Sequence, residues 1–254
     1  MSRYVSGFIL TLVAAAIFPS DNCRAEVYEL RTYTTNEGKL DALNARFRDH
    51  TVDLFKKHGI ESVGYWVPDS GPESKNTLIY VIRHESREAA QASWKAFLAD
   101  PEWKKVAAES QKDGRILAKR PESTYMEKTD YSPEWANDED AAEDTDDVFE
   151  LRIYKAAPGK LELLDARFRD HTIKLFEKHG MRNVAYWHAM DEPDASDTLI
   201  YIIKHESREA AKETWPAFGQ DPAWKKAASE SGVGRLAKPP KSVYMKATDY
   251  SEIH

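Results

Sequence analysis

The chain is written twice. RFRDHT at Arg46–Thr51 returns at Arg167–Thr172, and HESREAA at His84–Ala90 returns at His205–Ala211. KHG, YW, TLIY, DPxWKK and TDYS recur in the same order, at an offset of 121 residues that shrinks to 119 near the ends. Solenoid units run about 20 to 50 residues, so a repeat this long is a whole small domain kept twice on one chain. About 100 residues per copy suffices for a packed core.

Three segments lie outside the copies or between them. Residues 1–25 read as a signal for export: Arg3 gives a positive start and Phe8–Phe18 is an apolar run too short to span a bilayer. Cys23-Arg24-Ala25 then offers a small-residue cleavage site. Cleavage there leaves no stable membrane anchor and removes the only cysteine, which excludes thiol catalysis, disulfides and thiolate metal sites. A periplasmic or extracellular location follows as the expectation. Between the copies, Pro133–Asp147 carries eight acids and no Lys or Arg, and reads as a self-repelling linker. It accounts for the net charge of −7; the remainder is near neutral, with no basic face for nucleic acid. The expected division is a signal over 1–25, domains over 26–132 and 148–254, and a linker over 133–147.

Within each copy the pattern is β-α-β-β-α-β. Val27–Thr34 alternates as a strand, with Tyr28, Leu30 and Thr32 on one face and Val27, Glu29, Arg31 and Tyr33 on the other. Leu40, Leu43, Phe47, Thr51, Leu54 and His58 form one helical stripe, and Gly59 suits the left-handed residue that ends a helix. Ile60–Val67 and Thr77–His84 read as strands. Ser86 caps a helix, Asp100-Pro101 starts another, and Thr124–Lys128 is a last short strand. This is the ferredoxin-like order. Strand two leaves neither sheet face polar, so the second copy is expected to cover the first. The predicted fold is α+β: two ferredoxin-like domains pairing into an α/β barrel, helices outside, as an intramolecular pseudo-dimer.

Candidate chemistry rests on paired positions. His50 and His171 sit at the edge of the stripe, where a histidine can act as a general base or a haem ligand. His58 and His179 read as helix C-terminal residues. His84 and His205 open HESRE, which lacks the second histidine of a zinc-protease HExxH, so no metal is expected. Arg31 and Tyr33, with Arg152 and Tyr154, share a strand face with Glu29 and Glu150. If that face lines the barrel, the charges must pair across the sheets or hold a polar ligand. Tyr65-Trp66 and Tyr186-Trp187 place one aromatic on each face of the sheet, for packing first and for a ligand second. These ten residues (Arg31, Tyr33, His50, Trp66, His84, Arg152, Tyr154, His171, Trp187 and His205) form the candidate ligand pocket. No phosphate loop, GxSxG or Ser-His-Asp set is present.

YELRTY (Tyr28–Tyr33), RFRDHT, His58-Gly59, GYW (Gly64–Trp66), LIYxxxHxS (Leu78–Ser86) and SWxxFxxDPxW (Ser93–Trp103) together resemble the NIPSNAP domain. The second copy departs modestly, with FELRIY for YELRTY, Ala185 for Gly64 and Thr214 for Ser93. The resemblance covers nearly all of both copies. It implies the dimeric α/β-barrel fold and supplies no accepted catalytic residues. Two readings follow. One is an exported protein that binds a small ligand or partner, with no resident cofactor, as a monomer or a homo-oligomer. The other, by analogy with related barrels, is a monooxygenase-like or haem-handling enzyme using His50 or His171.

Overall fold

The computed structural model describes residues 25–134 and 146–253, so the expected signal and most of the expected linker lie outside the described residues. The first half runs β1 (Val27–Thr34), α1 (Leu40–Arg46), α2 (Val52–Lys57), β2 (Glu61–Pro68), β3 (Thr77–His84), α3 (Arg87–Ala99), α4 (Pro101–Glu109) and β4 (Glu122–Lys128). The second half repeats this as β5 (Val148–Lys155), α5 (Leu161–Arg167), α6 (Ile173–Lys178), β6 (Arg182–Ala189), β7 (Thr198–His205), α7 (Arg208–Gln220), α8 (Pro222–Glu230) and β8 (Lys241–Ala247). The eight strands close into one antiparallel barrel in the order β1-β3-β2-β8-β5-β7-β6-β4.

The helix punctuation follows the sequence. Ser86 Oγ accepts from Ala89 N at 3.1 Å and caps α3; Asp100 Oδ1 accepts from Glu102 N at 2.7 Å and caps α4. Gly59 ends the first helical run at φ +69°. Two local features depart from simple periodicity. Phe47–Thr51, the heart of RFRDHT, is a wide π-type turn between α1 and α2, in which the Thr51 hydroxyl donates to Arg46 O at 3.0 Å. Phe168–Thr172 repeats it. A β-bulge between Ser62 and Gly64 breaks the strict alternation of β2 and turns Val63 to the same side as Trp66.

Three apolar clusters result. One fills the barrel with Tyr28, Leu30, Trp66, Phe149, Leu151 and Trp187, among others. The other two lie outside the barrel, between sheet and helices; one holds Tyr33, Phe47, Phe55 and Tyr80, the other Phe168, Phe176 and Tyr201. The odd-numbered face of β1 therefore meets the helices, and Glu29, Arg31 and Tyr33 do not line the barrel. Burial of the bulkier hydrophobic face (Tyr28, Leu30) against the other sheet decides the orientation.

Each half is finished by the other. Strand β4 pairs with β1 of its own half and β6 of the other, and β8 pairs with β5 and β2. The TDYS motif that follows each last strand docks on the opposite half. Tyr250 stacks on Phe47 (6.3 Å between centroids), Ser251 Oγ accepts from Tyr65 N at 3.0 Å, and Asp249 forks onto Arg48 at 2.6 and 2.7 Å. Tyr131, Ser132 and Asp130 make the matching contacts to Phe168, Tyr186 and Arg169. Removing either tyrosine takes an aromatic wedge out of an inter-half seam. Tyr131→Ala and Tyr250→Ala are each expected to lower the unfolding free energy by about 2–4 kcal/mol in urea melts, whereas the exposed Arg48→Ala should change it by under about 1 kcal/mol.

Candidate functional site

The strand face that meets the helices carries a buried polar network. Glu29, 1 % exposed, accepts from Arg31 Nη1 (2.5 Å), Ser123 Oγ (2.5 Å) and Trp94 Nε1 (2.7 Å). His84 Nε2, from the adjacent β3, approaches the same carboxylate at 3.4 Å. Arg31 continues to the Tyr33 hydroxyl (3.3 Å) and stacks on Trp94 (4.4 Å). The second half repeats the arrangement: Glu150 is held by Arg152, Ser242, Trp215 and His205, the last at 3.0 Å, and Arg152 reaches Tyr154 OH at 3.0 Å.

Burial alone would raise the pKa of Glu29. The approach of His84, the charge on Arg31 and the Ser123 and Trp94 hydrogen bonds outweigh it and hold the carboxyl at about 2, against an ordinary 4.5. Glu150 is likewise held at about 2. The carboxylates are saturated by their own half. The network joins sheet to helix α3 (or α7) within a half, and neither crosses between sheets nor offers Glu29 to a ligand.

Beside this network, in the first half, lies an open pocket of about 220 Å³ between β1 and the helices. Its walls are Tyr33, Phe47, Phe55, Phe97 and Trp103, with Arg46 inside and Gln111 and Arg115 at the loop side. The π-type turn places Arg46: the side chain is 7 % exposed and its guanidinium lies 5.3 Å from the Trp103 ring. Its hydrogen bond to a side chain is a long one, from Nη1 to Ser110 Oγ at 3.4 Å, and its buried Nε has no partner. Among the described residues no carboxylate pairs with it, and burial pulls its pKa below the ordinary arginine value. Arg167 repeats the buried, ring-stacked guanidinium, 5.1 Å from Trp224.

The candidate residues therefore separate. Arg31, Tyr33 and His84, like Arg152, Tyr154 and His205, come together under the helices, and Tyr33 reaches the pocket wall. Trp66 and Trp187 pack inside the barrel, away from that pocket. His50 and His171 are exposed on the outer side of the π-type turn, not on the buried stripe edge, because the wider turn rotates Arg46 inward instead, while Thr51 keeps its expected place on the buried stripe. His58 and His179 bind the caps Asp100 (2.7 Å) and Asp221 (2.9 Å), as helix-end residues do. Sequence reasoning missed Arg46 and Trp103 as a pair. The signal was the arginine immediately preceding the apolar Phe47, in a motif kept in both copies.

The eight-stranded barrel assembled from two ferredoxin-like halves, with helices outside, is the architecture of the dimeric α/β-barrel class, here closed within one chain. The NIPSNAP family profile matches residues 28–133 and 149–252; the chain belongs to the NIPSNAP family. Among solved structures it is similar to a putative monooxygenase from Lactobacillus acidophilus NCFM, with 10 % identity, 88 % of this chain and 94 % of that one covered, and a TM-score of 0.57. It is also similar to an anthrone oxidase-like protein, with 18 % identity over 89 % of this chain and 93 % of that one and a TM-score of 0.53. A NIPSNAP family protein of unknown function from Agrobacterium tumefaciens str. C58 shares 25 % identity, covering 43 % of this chain and 94 % of its own, with a TM-score of 0.37. The first two likenesses show the shared fold. No curated protein matches the chain.

Because the folded pKa of Glu29 lies below its unfolded value, the stability it contributes is complete above about pH 5 and is lost as pH falls toward 2. Glu29→Gln leaves Arg31 buried without its partner and is expected to destabilise the protein by about 3–5 kcal/mol at neutral pH. That gap to the wild type should narrow as pH falls from about 5 to 2 in denaturant melts run at each pH.

Proposed function

We propose that the protein is an exported binding protein for a small organic anion, held in the helix-side pocket by Arg46. The observation that carries this reading is a buried guanidinium with no carboxylate partner, opening onto aromatic walls. An arginine kept out of water without a counter-ion is a costly arrangement that an anionic ligand relieves. An engineered cavity of about 150 Å³ takes benzene, so 220 Å³ accommodates one ring or a short hydrocarbon bearing a carboxylate. Phe47, Phe55, Phe97 and Trp103 supply the apolar contact such a body needs.

The apolar run near the N-terminus supports export. The likeness to barrels named after a monooxygenase and an anthrone oxidase makes oxygenation of a bound ring the second reading. Its specific support is Tyr33, a phenol on the pocket wall whose hydroxyl accepts from Arg31. His50 and His171, exposed on the helix, lend it none.

Phenylacetate is a suitable probe. Calorimetric titration of the full chain should show saturable binding, and Arg46→Met, which keeps the stem and removes the charge, should weaken it by at least about tenfold. Absence of saturable binding at millimolar phenylacetate and benzoate, or equal affinity in the Met variant, would sink the anion reading.

A further inference from the structure

A second and larger cavity, about 680 Å³, opens through the barrel wall beside β8. Incomplete strand pairing creates it. Strands β2 and β8 pair over Trp66–Pro68 and Met245–Ala247, and beyond that Asp69 N donates to Tyr244 O. The N-terminal part of β8 is left facing a gap that the 68–76 loop borders. The volume lies within the range of about 300–1,000 Å³ typical of small-molecule sites.

The two halves supply this cavity with different chemistry. From the first half come Thr32, Thr34, Thr77 and Thr124 beside Leu30 and Ile79; from the second come Leu151, Ile153 and Val243 beside Ser242. Aligning the copies sets Thr32 against Ile153 and Thr124 against Val243. Each exchange keeps a branched Cβ and trades a hydroxyl for hydrocarbon. Thr77 already donates to Asn76 Oδ1 at 2.9 Å, whereas Thr32 and Thr124 sit half-buried on the wall. A symmetric homodimer has identical walls by construction. Fusing the halves has let one wall carry hydroxyls at two positions, Thr32 and Thr124, where the facing wall carries the aliphatic Ile153 and Val243.

Charge at the mouth is balanced. Arg208 pairs with Asp69 at 3.2 Å and lies on the Tyr244 ring at 3.3 Å, and Lys119 pairs with Glu122. Lys241 and Glu73 add one charge of each sign. Nothing there calls for an ion, in contrast to Arg46 on the helix side.

We propose that the barrel cavity is a binding site for an uncharged amphipathic molecule. Its hydroxyl or carbonyl groups meet the Thr32–Thr124 wall, and its hydrocarbon lies against Leu151, Ile153 and Val243. The orientation is fixed by the difference between the two halves, so one molecule binds per chain.

Calorimetric titration of the full chain with 1-monodecanoylglycerol, kept below its micellar concentration, tests this. The expected result is saturable binding near one equivalent. Thr32→Val with Thr124→Val removes two hydroxyls while keeping the branching and should weaken binding about ten- to thirtyfold, with the thermal midpoint unchanged or raised. Ile153→Trp, checked for a native far-ultraviolet spectrum, should abolish it by filling the space. A wild type that gives only unsaturable partitioning overturns the site, and so does a folded Ile153→Trp variant that still binds. Equal affinity in the double valine variant overturns the two-faced reading.

Discussion

Everything in this molecule depends on strands β4 and β8 each serving two sheets at once. Without that sharing, each half is a four-stranded sheet with helices on one side and Tyr28, Leu30 and Trp66, or their counterparts, open to water on the other. Burying such a face contributes about 25 cal/mol for each Å² removed from water, and either half has only its twin to bury it against. The TDYS tails extend the same principle, since each carries an aromatic ring and a hydroxyl into the neighbouring half. Closure of the barrel and docking of the tails both cover one half with the other.

Much of the fold could be read from the sequence because the signals were local. Strand alternation, Ser86 and Asp100 as caps and Gly59 as a helix end all act within a few residues, and the duplication supplied the missing cover for the sheet. Which face of β1 points inward was not local: both faces carry bulky side chains, and the choice was made by packing inside the barrel, where Tyr28 meets Trp187 of β6. The site was less legible for a related reason. RFRDHT looks like ordinary helix, but one extra residue in its turn changes which side chains face the core. That single insertion sends Arg46 into the pocket and His50 to the surface, the reverse of what a 3.6-residue period suggests.

The structure keeps its charges in two different states. Glu29 and Glu150 are surrounded by donors and work as struts that tie strand to helix. Arg46 and Arg167 are buried to a similar degree but lie against rings, and Arg46 has one long hydrogen bond to the Ser110 hydroxyl, which accepts. Burial by itself does not mark a functional group; burial without satisfaction does. The copies have also drifted apart at one seam. Tyr131 donates to Asp165 (2.6 Å), which His188 also contacts (2.9 Å), whereas the equivalent Tyr250 meets the neutral Asn44 (2.9 Å).

The swapped tails also set the order in which the protein can be born. Tyr65 and Asn44 find partners at Ser251 and Tyr250, separated from them by 186 and 206 residues of chain. As the polypeptide is synthesised, the first half emerges long before β8 and the tail that complete its wall, and it must wait with the edge of β2 uncovered. Contacts this distant in sequence form slowly, and an open strand edge invites association with other chains. Joining the halves covalently gives a waiting first half a partner at high local concentration, which two separate subunits would have to find by diffusion.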